Sequence, residues 1–384
     1  MSVFDFATAT EIAFGRGRSA ELGERLRAFG ARALLVTGAH PERTLPMLER
    51  SRAAELVVAR VTLRSEPTTA EVEGGVLLAR EAGAEVVVGI GGGSALDAAK
   101  AIAVLTTNPG EPLDYLEVVG RGRPLALPSL PCVLVPTTAG TGAEVTKNAV
   151  LAVESERVKV SLRSLFMLPR LALVDSELTH GVPPDVTAAT GLDALTQLIE
   201  PYVSKARGPL TDALSVEGMR RSARSLRRAF EDGADADARD DLALASLFGG
   251  LCLANAKLGA VHGLAGPLGG ALHAAHGALC ARLLPEVMEK NLAHARRAGD
   301  ADVLGRFGAV ARIVCGQPDA GPEAGLLWVR ELVESLAIPR LSSYGLTPAR
   351  TGDIIERACV SSSMKGNPFE LGQDELYDIL ERAS

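Results

Sequence analysis

The chain has 384 residues, 47% of them hydrophobic, 4% aromatic and 23% charged, which describes a globular protein long enough to bury two cores. With 40 basic against 47 acidic residues the net charge is −7, so nothing electrostatic draws it to nucleic acid or to an anionic membrane. Five cysteines, at 132, 252, 280, 315 and 359, form no CxxC or close pair and read as reduced thiols of a cytoplasmic protein, and Met1-Ser-Val-Phe-Asp lacks the basic and apolar regions of a signal peptide.

In chain order, Ala33 to Thr37 is a buried-strand pattern, followed by a turn and a helical stretch from Arg43 to Ala53. Glu55 to Val61 predicts a second strand and Thr69 to Ala82 a helix. Glu85 to Ile90 is a third strand that runs into Gly91-Gly-Gly-Ser94 and a helix over Ala95 to Leu105. Pro131 to Pro136 and Leu171 to Asp175 complete the strands. Near-continuous apolar strands alternating with helices predict a doubly wound parallel sheet covered on both faces. Beyond residue 180 strand patterns vanish and Ala/Leu/Arg/Glu-rich helical spacing continues to the end. Pro183-Pro184 opens this half, and breaks are expected at Gly208-Pro209, Asp232-Gly233, Gly269-Gly270 and Gly366-Asn-Pro368. The reading is an α/β nucleotide-binding domain over 1–180 and an all-helical metal and substrate domain over 181–384. Leu242 to Ala256 is weakly polar but too short to span a bilayer, so it reads as a buried helix. The acidic stretch 231–241 lacks EF-hand spacing and reads as a solvated loop.

Three segments carry chemistry. A strand ending in Gly91-Gly-Gly-Ser94 before a helix leaves unpaired N–H groups at a positive dipole end, where a pyrophosphate can approach Cβ-free backbone; the bland alternative is a tight turn. Thr137, Thr138 and Thr141, with Gly140 and Gly142, follow another strand, and two such loops on one sheet mark a nucleotide crevice. In the helical half, Asp193 and Gln197 stand at i and i+4 and share a helix face. His262 and His276 would lie roughly 21 Å apart on one straight helix, so they meet only if the chain folds back, which Pro267 and Gly269-Gly270 would permit. One carboxylate, one amide oxygen and two imidazoles suit Fe²⁺ or Zn²⁺; capping or core histidines are the alternative. His180 and His294 are expected at the surface.

These segments together resemble the iron-containing (group III) alcohol dehydrogenase family nearly end to end. The likeness runs from Phe4, Ile12-Ala-Phe-Gly15 and Val36-Thr37 through Gly91-Gly-Gly-Ser94, Asp97, Lys100 and Thr137-Thr-Ala-Gly-Thr-Gly-Ala-Glu144. It continues with Lys159, Pro169, Asp175, Leu178-Thr179 and Gly191-Leu-Asp193, then His262-Gly263, Pro267-Leu-Gly-Gly270, His276-Gly277, Leu284-Pro285 and Asn367-Pro368. The resemblance implies a dehydroquinate synthase-like fold and an NAD(P)-dependent oxidoreductase. Its active site would lie in a cleft between nucleotide and metal domains, and the protein would be a homodimer acting on a small alcohol, aldehyde or ketone. It makes Gly91, Gly92, Gly93, Ser94, Asp97, Thr137, Thr138, Thr141, Lys159 and Leu178 cofactor residues. Asp193, His262 and His276 become the metal ligands, with Gln197 at the fourth position; His276 is also a catalytic imidazole, and His273 or water is the candidate for the proton route. Hydride passes between nicotinamide C4 and the carbinol carbon, while the metal polarises the substrate oxygen.

Two departures stand out. The family usually has histidine where Gln197 stands, and often another where this chain has Gly266. The maleylacetate reductases of the same superfamily are also similar and work without metal; they typically lose the acidic ligand, which Asp193 retains. A lyase on the dehydroquinate synthase scaffold would need more basic residues in the helical half than Arg157, Lys159 and Arg163 offer nearby, and a non-catalytic remnant would not need Asp193, His262 and His276. NAD-preferring relatives commonly carry a carboxylate just after the first strand; here Gly38 stands there, with His40 and Arg43 close by, which favours NADP(H) over NAD(H).

Overall fold

The computed structural model describes residues 3–156, 158–272 and 274–384, so Arg157 and His273 lie outside the described residues. The chain divides into two compact units. One comprises Ala7–Thr138 and Gly142–Thr179; the other comprises residues 3–6, Ala139–Thr141 and His180–Ser384.

The first unit holds strands β1 (Glu11–Phe14), β2 (Ala33–Thr37), β3 (Val57–Thr62), β4 (Val86–Gly91), β5 (Cys132–Pro136), β6 (Asn148–Val153), β7 (Val158–Arg163) and β8 (Leu171–Val174). Its helices are α1 (Leu22–Arg27), α2 (Leu45–Arg50), α3 (Thr69–Glu81), α4 (Gly93–Thr107) and α5 (Pro112–Tyr115). The main sheet is parallel throughout, in the order β1-β8-β5-β4-β2-β3. Side-chain alternation sends Leu34, Val36, Val87 and Leu134 into one apolar layer with α3 and α4, and Ala33, Leu35, Val88 and Val135 into a second with α1 and α2. Both faces are covered, as the continuous apolar strands predict. The helix α3 starts where a capping box predicts it: Thr68 Oγ1 accepts from Glu71 N–H, while the Glu71 carboxylate accepts from Thr68 N–H. The segment 43–53 differs from expectation, forming only a short helix flanked by 3₁₀ turns.

The antiparallel β6–β7 hairpin was not legible in the sequence. It is tied to α4 by Lys100, a fully buried lysine that donates to the Asn148 carbonyl of β6, to the Ala143 carbonyl at 2.9 Å and to Thr146 Oγ1 at 2.8 Å. A buried ammonium must be paired, and the Asp97 carboxylate meets it at 2.9 Å.

The second unit is helical: α6 (Pro184–Val203), α7 (Pro209–Glu231), α8 (Ala236–Asn255), α9 (Ala260–Leu272), α10 (His276–Ala298), α11 (Ala301–Cys315), α12 (Pro322–Ser335), α13 (Pro348–Cys359) and α14 (Gln373–Ala383). Prolines at the first turns of α6 and α7 sit where their missing N–H costs nothing. The break expected at Gly269-Gly270 is absent. Both glycines lie inside α9 with Pro267; α9 ends at Leu272 and α10 begins at His276. The acidic stretch 231–241 is also only partly a loop. Asp235 caps α8, and Asp241 is buried inside it, accepting from Arg221, Arg224 and Ser225. Leu242 to Ala256 largely coincides with α8, which is mostly buried. Among the described residues no single helix is long and apolar enough to cross a membrane; α8 and α9 reach that composition only together, across a 98° bend.

Candidate functional site

In the first unit the glycine loops gather at strand C-termini. Register places Thr37 opposite Ile90 and Gly91 opposite Pro136, so β2, β4 and β5 end level with one another. After β2 the chain proceeds outward to β3, whereas after β4 it proceeds to β5 on the other side. That reversal is the topological switch point at which doubly wound sheets bind ligands. A Cβ on Gly91 would lie 2.8 Å from Ala95 Cβ and 3.3 Å from Gly38 N, so only glycine lets these turns approach. Gly92 caps α4, with Gly93 and Ser94 in its first turn, where helical N–H groups have no acceptor one turn back. Thr137 N–H donates to the Gly91 carbonyl at 2.9 Å, holding the second loop against the first.

Other proposed cofactor residues fare differently. Asp97 has one oxygen on Lys100 and the other accepting from Val150 N–H, so its carboxylate is engaged inside the unit. Lys159 pairs with Glu66, and Arg163 with Glu117 at 3.9 Å. Leu178 packs, half-buried, on the sheet layer that holds Leu35. His40 is exposed and pairs through Nδ1 with Glu42 at 3.1 Å. Gly38 has open space where a Cβ would be. Thr141 groups with the helical unit, and Gly140 explains why: a Cβ there would meet Thr190 of α6 at 2.7 Å.

In the second unit Asp193, His262, His276 and Cys280 present ligand-type atoms that all lie within 4.8 Å of one another. Asp193 stands on the inner face of α6. His262 lies in the first turn of α9, His276 opens α10 and Cys280 follows one turn on. The helices α9 and α10 therefore fold back on one another, as the two histidines need. Asp193 Oδ1 is 3.4 Å from His262 Nε2 and 3.9 Å from His276 Nε2, and Cys280 Sγ is 3.6 Å from His276 Nε2. Asp193 Oδ1, His262 Nε2 and Gln197 Oε1 are buried without a hydrogen-bond partner. Buried polar atoms left unpaired are costly and therefore rare, and a divalent cation would satisfy the first two together.

The imidazole of His262 is oriented from behind. Its Nδ1 is 2.6 Å from Glu200 Oε2, while Glu200 Oε1 accepts from Val261 N–H at 2.7 Å. With Nδ1–H donating to the carboxylate, release of the second ring proton on ion binding would leave the Nε2 lone pair directed toward Asp193. Asn367 Oδ1 accepts from Ala260 N–H at 3.2 Å, so the free donors at the start of α9 are met by side chains. Gly259 makes this possible, since a Cβ there would lie 2.7 Å from Glu200 Oε1. Burial would push the Asp193 carboxyl up, but the facing His262 and His276 and the Gln197 amide hold it below its usual range. The charge of Cys280, with Asp193, raises His276 to about 9 against burial and the neighbouring His262. Burial lowers His262, yet Cys280, Glu200 and Asp193 outweigh it and hold the imidazole well above its ordinary value.

Glu200 and Cys280 were missed in the sequence. Glu200 continues the Asp193–Gln197 stripe at i+7, and Cys280 stands at i+4 from His276; those spacings were the available signal. Gln197 packs on α8, where a Gly249 Cβ would lie 3.7 Å from its Oε1. Gly266, one turn beyond His262, has open space around it. His294 is not a free surface residue: it pairs with Glu375 at 2.8 Å and stacks on Phe369. His180 Nε2 is buried as well.

The sequence matches the family description "Iron-containing alcohol dehydrogenase" over residues 9–176 and "Fe-containing alcohol dehydrogenase family, C-terminal" over residues 187–384. It is 37% identical over 318 residues to alcohol dehydrogenase 4 of Saccharomyces cerevisiae, covering 83% of this chain and 80% of that protein. The fold is similar to a solved 1,3-propanediol oxidoreductase, with a TM-score of 0.90, 30% identity and full coverage of both chains. It is also similar to a sulfoacetaldehyde reductase from Bifidobacterium kashiwanohense solved with NAD⁺, with a TM-score of 0.87, 28% identity and coverage of 99% and 98%.

Proposed function

The chain belongs to the iron-containing alcohol dehydrogenase family, and we propose that it interconverts an alcohol with an aldehyde or ketone using NADP(H) and a divalent ion held by Asp193, His262 and His276. Residues 1–180 serve as the nucleotide-binding part and 181–384 as the metal and substrate part, a division supported by the two family matches. The observation that carries the reading is the convergence of these three side chains with Asp193 Oδ1 and His262 Nε2 buried and unpartnered. When bound, the ion polarises the substrate oxygen and the nicotinamide gives or takes the hydride.

The chain's own residues supply position. Glu200 fixes the His262 tautomer that leaves Nε2 free. Gly91 and Gly92 open the strand ends to a pyrophosphate, with the first N–H groups of α4 and the Thr137 and Thr138 hydroxyls as donors. Gly38 leaves room where a carboxylate would repel a 2′-phosphate, and the nearby His40 supports NADP(H). Asp193 and His262 side chains are only 3% and 6% exposed, whereas His276 is 39% exposed. The substrate oxygen therefore approaches on the His276 side, and its proton leaves to water there; Gly266 keeps space open one turn from His262. Free buried thiols at 132, 252 and 280 support a reducing, cytoplasmic setting, and sedimentation tests the homodimer implied by the resemblance.

The test is loss of nicotinamide absorbance with a panel of aldehydes, ketones and keto acids, alongside metal analysis of the purified protein. Turnover that Asp193→Ala abolishes, with NADPH preferred, supports the proposal. Tight cofactor binding without turnover of any carbonyl would favour a remnant, and keto-acid turnover by metal-stripped protein would favour a maleylacetate reductase-like enzyme.

A further inference from the structure

We infer that Cys280, and not Gln197, is the fourth protein ligand of this centre, and that the resulting Asp/His/His/Cys set selects Zn²⁺ over Fe²⁺. The inference rests on the reading that Asp193, His262 and His276 hold a divalent ion, and it names a ligand that the family resemblance did not supply.

The geometry carries it. Cys280 lies one helical turn beyond His276 on α10, so both side chains leave the helix on the same face. Its sulfur is 3.6 Å from His276 Nε2, and Asp193 Oδ1 is 3.4 Å from His262 Nε2. A tetrahedron with Zn–N, Zn–O and Zn–S bonds of about 2.0–2.3 Å has edges of about 3.3–3.6 Å. These two distances therefore match a tetrahedral site, and the remaining separations, none above 4.8 Å, are within a small side-chain adjustment of it. The thiol is fully buried in the apolar core of the helical unit, beside the imidazoles of both His276 and His262.

Gln197 is placed for a different task. It follows Asp193 by one turn of α6, helps hold the Asp193 carboxyl below its usual range and packs on Gly249 of α8. It thus orients a ligand from outside the set, as outer partners of metal ligands do. Charge points the same way. A carboxylate and a thiolate together neutralise a buried divalent ion, whereas a carboxylate and a neutral amide leave a net positive charge in a low-dielectric interior. Softness then decides the metal, because a thiolate with two imidazoles suits zinc, which also stands above Fe²⁺ in general affinity order. With Cys280 as the fourth ligand, a substrate oxygen would enter as a fifth, an expansion that catalytic zinc sites sometimes make.

The test uses the full-length protein. Metal content is measured after expression with iron and zinc both supplied, and Co²⁺ is then substituted for the resident ion. The expected result is about one zinc per chain with iron in the minority, and a near-ultraviolet thiolate-to-cobalt charge-transfer band. That band persists in Gln197→Ala and disappears in Cys280→Ser, which binds Zn²⁺ at least about 100-fold more weakly, beyond the range of an outer-partner loss. The wild-type cobalt spectrum decides the point even where Cys280→Ser fails to fold. Cobalt bound without a thiolate band overturns the ligand assignment, and iron taken in preference to zinc overturns the metal choice; both leave the proposed function standing. Binding of no divalent ion, iron included, overturns the inference and the proposed function together.

Discussion

Replacing Glu200 with Gln isolates how the helical unit prepares its imidazole. The carboxylate accepts two hydrogen bonds at once, from Val261 N–H at 2.7 Å and at His262 Nδ1 at 2.6 Å, and it is buried. In Glu200→Gln one oxygen becomes an NH₂ group. The backbone N–H of Val261 can only donate, so the remaining oxygen must stay there. The NH₂ then faces Nδ1, which has to give up its proton and act as acceptor. The imidazole proton moves to Nε2, where it blocks the lone pair directed at Asp193. Loss of such an outer partner typically costs about 10–100-fold in metal affinity, or about 1.4–2.7 kcal/mol. Competition between the protein and a chromophoric chelator for Zn²⁺ at fixed pH measures this, and thermal melting of the metal-free proteins separates it from loss of the fold. If Glu200→Gln bound Zn²⁺ within twofold of the wild type, the tautomer argument would be wrong and Glu200 would serve only to cap α9.

Gly38→Asp places a carboxylate in open space after β2, so the ratio of kcat/KM for NADPH over NADH should fall by about tenfold or more, about 1.4 kcal/mol; an unchanged ratio refutes the assignment of this turn to the ribose. Glu144 is fully buried, and burial pushes its carboxyl up from near 4.5 to about 7 against the pull of its own backbone hydrogen bond and Lys100. Between those values the native state keeps a proton that the unfolded chain has released, so stability falls as pH rises through the window, by about 3 kcal/mol in all. Glu144→Gln should remove that slope in denaturant titrations from pH 4.5 to 8, and parallel slopes for the two proteins would contradict it. Gly140→Ala puts a methyl 2.7 Å from Thr190 Cβ and should destabilise by about 1–3 kcal/mol in the same titrations; a neutral effect would mean that this segment yields freely.

Much of the molecule was legible in the chain because its signals are local. Ala33 to Thr37 is β2 to the residue, and the capping box at Thr68 and Glu71 starts α3 where expected. The three-glycine turn sits at a strand end because a parallel βα unit imposes that order. Where local rules compete with tertiary packing, packing prevails. Gly269-Gly270 looked like a break, but tertiary packing keeps both inside α9, whose Leu264, Ala265, Leu268 and Leu272 are buried in the helical core. The β6–β7 hairpin was missed because its positions are held by Lys100 and Asp97 of a distant helix, which no window of sequence displays.

The same distinction runs through the candidate centre. Residue types and helical spacing already display the available ligand chemistry, Asp193 with two histidines, and the helical face that Asp193 shares with Gln197. Which side chains converge depends on long-range packing. The helices α9 and α10 bring His262 and His276 together, Glu200 reaches behind the first, and Cys280 stands beside the second. Periodicity tells which residues share one helix face, but which faces meet is fixed by the packing of several helices around a common core, a long-range property that spacing along the chain does not carry.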